Sequence, residues 1–209
     1  MGRVATMGKY ESGRSNPSGT KLIELDDLAE TAEGVYYSPY SLPLVDVKVI
    51  EFLKRRAGVS PRRRARFCAH LSPNAEQHDM LIVSHRDTYV TPHRHMSKSE
   101  TFIVLEGSAE IILFEETGEI EKIVDMGPAE SGKPFFYRMP PRRFHSLAIK
   151  SELLVFLEST MGPFNLDDRE HASWAPHPDD TENGQAYIAG LVGRVAHGTE
   201  TPAAKKDYR

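Results

Sequence analysis

Residues 92–107 read PHRHMSKSETFIVLEG, and the fold turns on their spacing. His93 and His95 are separated by one residue, so on a strand both imidazoles leave the same face. Glu100 follows after four intervening residues. The apolar run Phe102, Ile103, Val104, Leu105 then stops at Gly107, so the carboxylate opens a second strand that a short turn returns to the histidines. A third imidazole has to come from a later strand, and His145, in MPPRRFHSLAI at 139–149, is the candidate. Three imidazoles and one carboxylate suit Zn, Fe, Ni, Cu or Mn, and four ligands leave positions open on a six-coordinate ion. The expectation is one divalent ion (Zn, Fe, Ni or Mn) on His93, His95, Glu100 and His145.

Outward from this stretch, short apolar runs alternate with turn signals. Strands are expected at 80–85, 88–95, 100–106, 108–115, 119–126, 134–138, 144–150 and 152–159. Thr117-Gly118 makes a hairpin, Met126-Gly127-Pro128 ends a strand, and Met139-Pro140-Pro141 precedes another. Many short, evenly spaced strands indicate a mainly β chain closed as an antiparallel barrel or jelly roll.

The same residues carry a family resemblance. His93, His95, Glu100 and Gly107 fit H-x-H-x4-E-x6-G, and Pro140 with His145 fits P-x-G-x2-H; these resemble the two motifs of the cupins. Asp87 and Arg142 stand where the motifs have Gly, and Ile149 replaces an Asn, departures that affect turns rather than ligands. Three stretches, SPRRRARFCAH (60–70), GSAEIILFEETGEI (107–120) and GPFNLDDREHASWAP (162–176), resemble the WbuC-type cupin-fold metalloproteins in particular. The resemblance spans roughly residues 40 to 192. It implies a cupin double-stranded β-helix (jelly-roll barrel) with a helical N-terminal extension and a C-terminal helix. It also implies a metal-binding protein of bacterial surface-polysaccharide gene clusters.

The expected organisation is a disordered leader (1–20), an N-terminal extension with one helix (21–79), the barrel (80–160), a C-terminal loop and helix (161–195) and a tail (196–209). Leu22, Ile23, Leu25 and Leu28 fit either a short strand or a helical turn. Asp46 can cap a helix burying Val49, Ile50, Leu53 and Ala57, with Gly58 just past it; alternation of Val45, Val47 and Val49 offers a strand instead, and the caps favour the helix. A last helix starts at Thr181 and buries Tyr187, Leu191 and Val195.

Thirty acidic and 26 basic residues give a net charge of −4, so neither a nucleic acid nor a membrane surface is implied as partner. No apolar leader is present, and the lone Cys68 forms no internal disulfide, which together suggest the cytoplasm. Cys68 reads as a small buried packing residue.

Around the centre, Tyr89 and Thr91 share the inward face of the His93 strand by the period of two and should line the cavity. Arg62 and Arg64, in the run with Arg63 and Arg66, offer guanidinium forks to a phosphate or carboxylate, against the alternative of a solvated basic turn. His70 either lines the pocket or is a hydrogen-bonded structural histidine. Tyr137 and Glu158 are weaker cavity candidates, and Lys98, Arg142 and Arg143 flank the ligand strands. His78, His85, His171, His177 and His197 lack ligand spacing and read as surface residues. Trp174 is expected to cover the barrel edge.

The function expected is a metal-dependent isomerase or epimerase acting on a small sugar or nucleotide-sugar, with an anionic sugar among the candidate substrates. An Fe(II) dioxygenase and a non-catalytic metal-dependent binder share the same ligand set. A homodimer is expected, because exposed sheet edges need covering.

Overall fold

The computed structural model describes residues 20–196, and side chains to residue 192. The expectations for the leader, the tail, His197 and the Val195 side chain lie outside these residues. In chain order the elements are β1 (Thr20–Leu22), a 3-10 turn (Leu25–Asp27), β2 (Glu30–Ala32), β3 (Val35–Tyr37), β4 (Leu42–Leu44), α1 (Val47–Val59), β5 (Arg64–Cys68) and β6 (Gln77–His85). There follow β7 (His93–His95), β8 (Glu100–Glu106), β9 (Ala109–Phe114), β10 (Ile120–Met126), β11 (Phe136–Met139), β12 (His145–Ile149), β13 (Leu153–Met161), β14 (Arg169–His171) and α2 (Thr181–Ala196). The Leu22–Leu28 stretch thus holds both alternatives, a strand and then a helical turn.

Two sheets result, ordered β10-β9-β12-β7-β14 and β11-β8-β13-β6-β5-β3-β2, while β1 and β4 pair separately. Pairing is antiparallel except for β3–β5 and β1–β4. Alternation assigns each strand's side chains to two layers. Met80 and Ile82 of β6, Phe102 and Val104 of β8, and Ala109 and Ile111 of β9 form the core between the sheets. Leu81 and Val83 turn outward under α1, and Ile112 and Phe114 turn outward under α2. The molecule is a double-stranded β-helix with a helix on each outer side.

Helix α1 starts as its N-cap requires, but it runs through Gly58, expected just past its end, to Val59 and is capped by Ser60, whose N–H donates to the Arg56 carbonyl. The Asp46 carboxylate accepts from the Lys48 N–H at 2.9 Å, and Val49, Leu53 and Ala57, four apart, are fully buried. Truncating Leu53 to Ala would cost about 2–5 kcal/mol. Helix α2 sits close to the other sheet because Gly184 lies directly against the Tyr89 ring, where a Cβ has no room. Trp174 packs on Phe114 and Phe144, with ring centroids 4.9 and 5.8 Å away, and so covers the outer face of the five-stranded sheet.

Two strand expectations shift. The sheet does not begin near Met80, since β2, β3 and β5 already belong to the seven-stranded sheet. The strand expected at 88–95 shrinks to His93–His95. Pro92 has no N–H for a ladder, the Thr88 hydroxyl donates to the Arg63 carbonyl, and the Tyr89 hydroxyl donates to the Pro176 carbonyl, so residues 88–92 are held as irregular chain.

Candidate metal centre and its cavity

Strand β7 is only three residues long, and each face is fixed separately. Outward, Arg94 bridges Glu116 (2.7 Å) and Glu170 (2.9 Å) and lies over the Phe144 ring at 4.3 Å. Inward, His93 and His95 share one face, as their spacing requires. Cross-strand register extends that face: His145 of β12 stands opposite His93 on one side, and His171 and Arg169 of β14 stand opposite His93 and His95 on the other. Glu100 opens β8 on the facing sheet, and Gly107 closes that strand with φ +83°, where a Cβ would run into the Leu153 carbonyl.

Ligand atoms of His93, Glu100 and His145 all lie within 4.8 Å of one another. His95 stands just outside this trio, with its Nε2 3.3 Å from Glu100 Oε2, while His145 Nε2 is 2.7 Å from Glu100 Oε1. The far side of each ring is also engaged. Nδ1 of His93 meets the Thr91 carbonyl at 2.9 Å, Nδ1 of His145 meets the Arg143 carbonyl at 2.9 Å, and Nδ1 of His95 meets Asp168 Oδ2 at 3.2 Å. Oxygen acceptors at all three Nδ1 atoms engage that side of each ring and leave Nε2 as the nitrogen available to an ion, which is how metal-binding histidines are oriented. The donor set therefore fits one divalent ion.

The electrostatics leave His93 ready to ligate and hold His145 and Glu100 as a hydrogen-bonded pair that an ion has to displace. Burial, and then the neighbouring His145, hold His93 well below the ordinary histidine range, so its ring is neutral. Burial opposes charge on both Glu100 and His145. Their mutual hydrogen bond nevertheless holds the Glu100 carboxyl well below its usual range and raises His145.

Asp168 was not singled out from the sequence, although its stretch was. It ends the 3-10 turn Leu166–Asp168, whose cap Asn165 accepts from the Asp167 N–H at 3.0 Å. One carboxylate oxygen faces His95; the other accepts from the Ser97 N–H at 2.9 Å and from the Ser97 hydroxyl. The Met96 N–H also donates to the Asp168 carbonyl, so the turn is clipped to the end of β7.

The centre opens into a cavity of about 730 Å³ between the sheets, a size suited to a small organic ligand. Thr91 lines it as expected. Tyr89 borders it but is buried mostly against α2. Arg64 projects into it, whereas Arg62 is at the rim, exposed and 3.7 Å from Asp179. Tyr137 and Glu158, the weaker candidates, both line the wall. Glu158 stands opposite Phe102 and Met80, both inward residues, and burial followed by the charge of Glu100 raises its carboxyl. Burial raises the Tyr137 hydroxyl well above its usual value, and its ring stacks on Phe102 at 5.0 Å.

His70 satisfies both of its readings. Its Nδ1 accepts from the Asp79 N–H at 3.2 Å, and it lines a smaller recess of about 70 Å³ beside His95. The surface reading of His78 is corrected: it is 5% exposed, stacked on His70 with centroids 4.1 Å apart and packed close to Gly162. His171 is exposed but opens onto the cavity, its ring 6.3 Å from that of His93. His177 also reaches the cavity rim, and His85 pairs with Asp87 at 3.1 Å. Lys98 donates to the Pro163 carbonyl while lining the recess beside His95, and Arg143 pairs with Glu121. Arg142 turns the chain with φ +65°, the conformation for which the cupin motif has Gly. Burial pushes the Cys68 thiol up to about 11, in keeping with a packing role.

Fold and site together define a double-stranded β-helix protein with a candidate metal centre. The family model described as a domain of unknown function (DUF6016) matches residues 45–126, which include His93, His95 and Glu100 but neither His145 nor Asp168. No curated protein matches the chain. Among solved structures it is similar to procruciferin, an 11S globulin from Brassica napus (11% identity, TM-score 0.36, 42% of this chain and 21% of that one). It is also similar to an uncharacterized conserved protein with a double-stranded beta-helix domain from Klebsiella pneumoniae (13%, 0.40, 52% and 79%). A third is the capsular polysaccharide assembling protein CapF from Staphylococcus aureus (14%, 0.41, 52% and 28%). The chain spans well under half the length of procruciferin and of CapF. A likeness at this level does not extend to activity, which has to be argued from the site. Among the described residues, no helix is long and apolar enough to cross a membrane.

Proposed function

We propose that the protein is a cytoplasmic, metal-dependent enzyme of the isomerase or epimerase type, acting on a small sugar or nucleotide-sugar in bacterial surface-polysaccharide synthesis. The observation that carries the reading is the opening of the His93, Glu100 and His145 donor set into a cavity of about 730 Å³. A purely structural ion is sealed by its ligands, whereas a reactive one keeps an open side. The polysaccharide setting rests on the resemblance of residues 60–70, 107–120 and 162–176 to the WbuC-type proteins.

A bound ion supplies Lewis acidity to a carbonyl or hydroxyl oxygen. The protein's own groups do the rest. Glu158, its carboxyl raised by burial and Glu100, is suited to take a proton from carbon and return it. Tyr137 retains its proton and donates a hydrogen bond to a substrate oxygen. The apolar wall of Phe102, Leu147 and Phe156 limits water around the exchanged proton. The protein is further proposed to pair as a homodimer, supported by the outermost strand β11, where Phe136 is 51% exposed. Light scattering should return twice the chain mass; a monomer mass would remove that part.

The test is elemental analysis of protein purified without added metal, followed by NMR in deuterated water with aldose phosphates, ketose phosphates and nucleotide-sugars. A stoichiometric divalent ion and deuterium uptake at one carbon are expected, with uptake lost but metal retained in Glu158→Gln. Iron with substrate-dependent oxygen consumption would replace the isomerase by a dioxygenase. Metal and binding without exchange or turnover would leave a binder.

A further inference from the structure

The geometry points to Arg64, Arg66 and Arg169 as an anion seat inside the cavity, which takes the phosphate or carboxylate of a small molecule whose oxygen-rich end reaches His93, Glu100 and His145. The seat rests on the proposed function for what lies at its other end. Arg62, the residue the sequence favoured alongside Arg64, is not part of it.

Backbone alternation sets two of the cations. On β5, Ala65 and Phe67 turn outward and are buried beneath α1, so Arg64, Arg66 and Cys68 turn into the barrel. The third comes from the opposite sheet, where Arg169 of β14 stands across from His95 on its inward face and, although solvent-exposed, lines the cavity at its open side. All three line the cavity that contains Glu100 and His145. Two sheets therefore present guanidinium groups to one space.

Their pairing separates them from the other arginines nearby. Arg62 reaches Asp179 at 3.7 Å and Arg63 reaches Asp87 at 3.7 Å, so the rim cations are matched by rim acids. Glu33, also at the rim, is occupied by Ser60 and the Arg62 N–H. Among the described residues, the side chains of Arg64, Arg66 and Arg169 make no ion pair and no hydrogen bond. Beyond the donor set, the cavity wall inside the rim offers one carboxylate, Glu158. Three guanidiniums against one carboxylate leave positive charge in excess whether or not Glu158 is ionised. Arg64 registers the crowding: burial, then Arg66 and Arg169, push it down to about 10. Mutually repelling cations turned into a cavity are stabilised by an oxyanion, and planar guanidinium forks match phosphate and carboxylate oxygens in pairs.

The probes are inorganic phosphate and acetate, titrated calorimetrically into the full-length, zinc-loaded protein, with zinc content measured in parallel. Phosphate binding tighter than acetate assigns a phosphorylated ligand, and the reverse a carboxylated one. Arg66→Gln and Arg169→Gln should each weaken the preferred anion by about 10-fold or more. Arg62→Gln should change it less than about 2-fold, as an exposed pair contributes little. Without anion, the Arg66 and Arg169 variants should melt no lower than the parent, because a repulsion is removed. Equal affinity in the parent and both variants, or no anion binding at all, would overturn the seat. Zinc retained with no anion binding sinks the seat alone. Anion binding with the expected variant pattern in a protein that takes up no zinc leaves the seat standing and sinks the metal reading.

Discussion

Asp168→Asn is a small change in size with a large expected consequence for metal affinity. Three donors converge on the Asp168 carboxylate: His95 Nδ1 at 3.2 Å, the Ser97 N–H at 2.9 Å and the Ser97 hydroxyl. An amide has one oxygen to offer. Directed at the two Ser97 donors, that oxygen leaves the NH2 group facing His95 Nδ1, so the ring must move its proton to Nε2 and loses the lone pair aimed at the centre. Loss of such a supporting partner costs about 10–100-fold in metal affinity, or about 1.4–2.8 kcal/mol. Zinc competition against a chelating dye measures it, with thermal melting of the metal-free protein as a control that should barely move, since the Ser97 bonds persist. The decisive arm is the double mutant: in a His95→Ala background, Asp168→Asn should cost nothing further. The same loss with and without His95, or parental affinity in Asp168→Asn alone, would refute the orienting role.

Three other changes address separate parts of the molecule. His145→Ala should strip the metal while His171→Ala leaves it, read by elemental analysis of each purified variant; metal retained without His145 would remove that residue from the ligand set. Burial and then His78 push His70 down to about 4 from an ordinary 6.5, so the unfolded chain binds the extra proton between those values, and stability, complete above the upper one, falls as pH drops toward the lower. His70→Gln keeps an acceptor for the Asp79 N–H and should flatten that part of the curve in urea unfolding at stepped pH; an unchanged slope would reject the assignment. Arg142 has φ +65°, which costs about 1–2 kcal/mol in a residue with a Cβ, so Arg142→Gly should stabilise by roughly 0.5–1 kcal/mol after its own entropy cost and Arg142→Val should destabilise. A lower melting temperature for the glycine variant would mean that the Arg142 side chain contributes more than its backbone strain removes.

The parts of the fold legible in the sequence were those written in local periodicity. H-x-H on a strand has one geometric outcome, and the Asp46 cap with apolar residues four apart has another; both formed as read. The strand expected at 88–95 failed locally as well, because Tyr89 and Thr91 alternate correctly while Pro92 removes a ladder donor that alternation does not register. What remained illegible depends on register between distant strands. Asp168 is 73 residues from His95 in the chain, and nothing in NLDD marks which carboxylate will meet an imidazole. Arg169 and His171 belong to a three-residue strand too short to show a period, and only its pairing with β7 turns them toward the cavity. His78 is buried against His70 and Gly162, contacts that its own neighbours in sequence do not announce.

This division also separates the sources of the two chemistries in the cavity. The donor trio comes from β7, β8 and β12, and the spacing within 92–107 is enough to build most of it. The unpaired cations come from β5, which precedes the motif, and β14, which follows the barrel strands. The two are attached differently: β5 lies within the seven-stranded sheet between β6 and β3, and β14 lies at the end of the five-stranded sheet beside β7. Most of the buried residues of the core between the sheets lie on β6, β8, β9 and β13, with β5 contributing Cys68 and β14 none. The donor set and the proposed anion seat thus lie on different segments, so substitutions at Arg66 or Arg169 should alter which anion is taken while His93, Glu100 and His145 stay as they are. Substitutions at the histidines should do the converse, emptying the centre and leaving the positive wall intact.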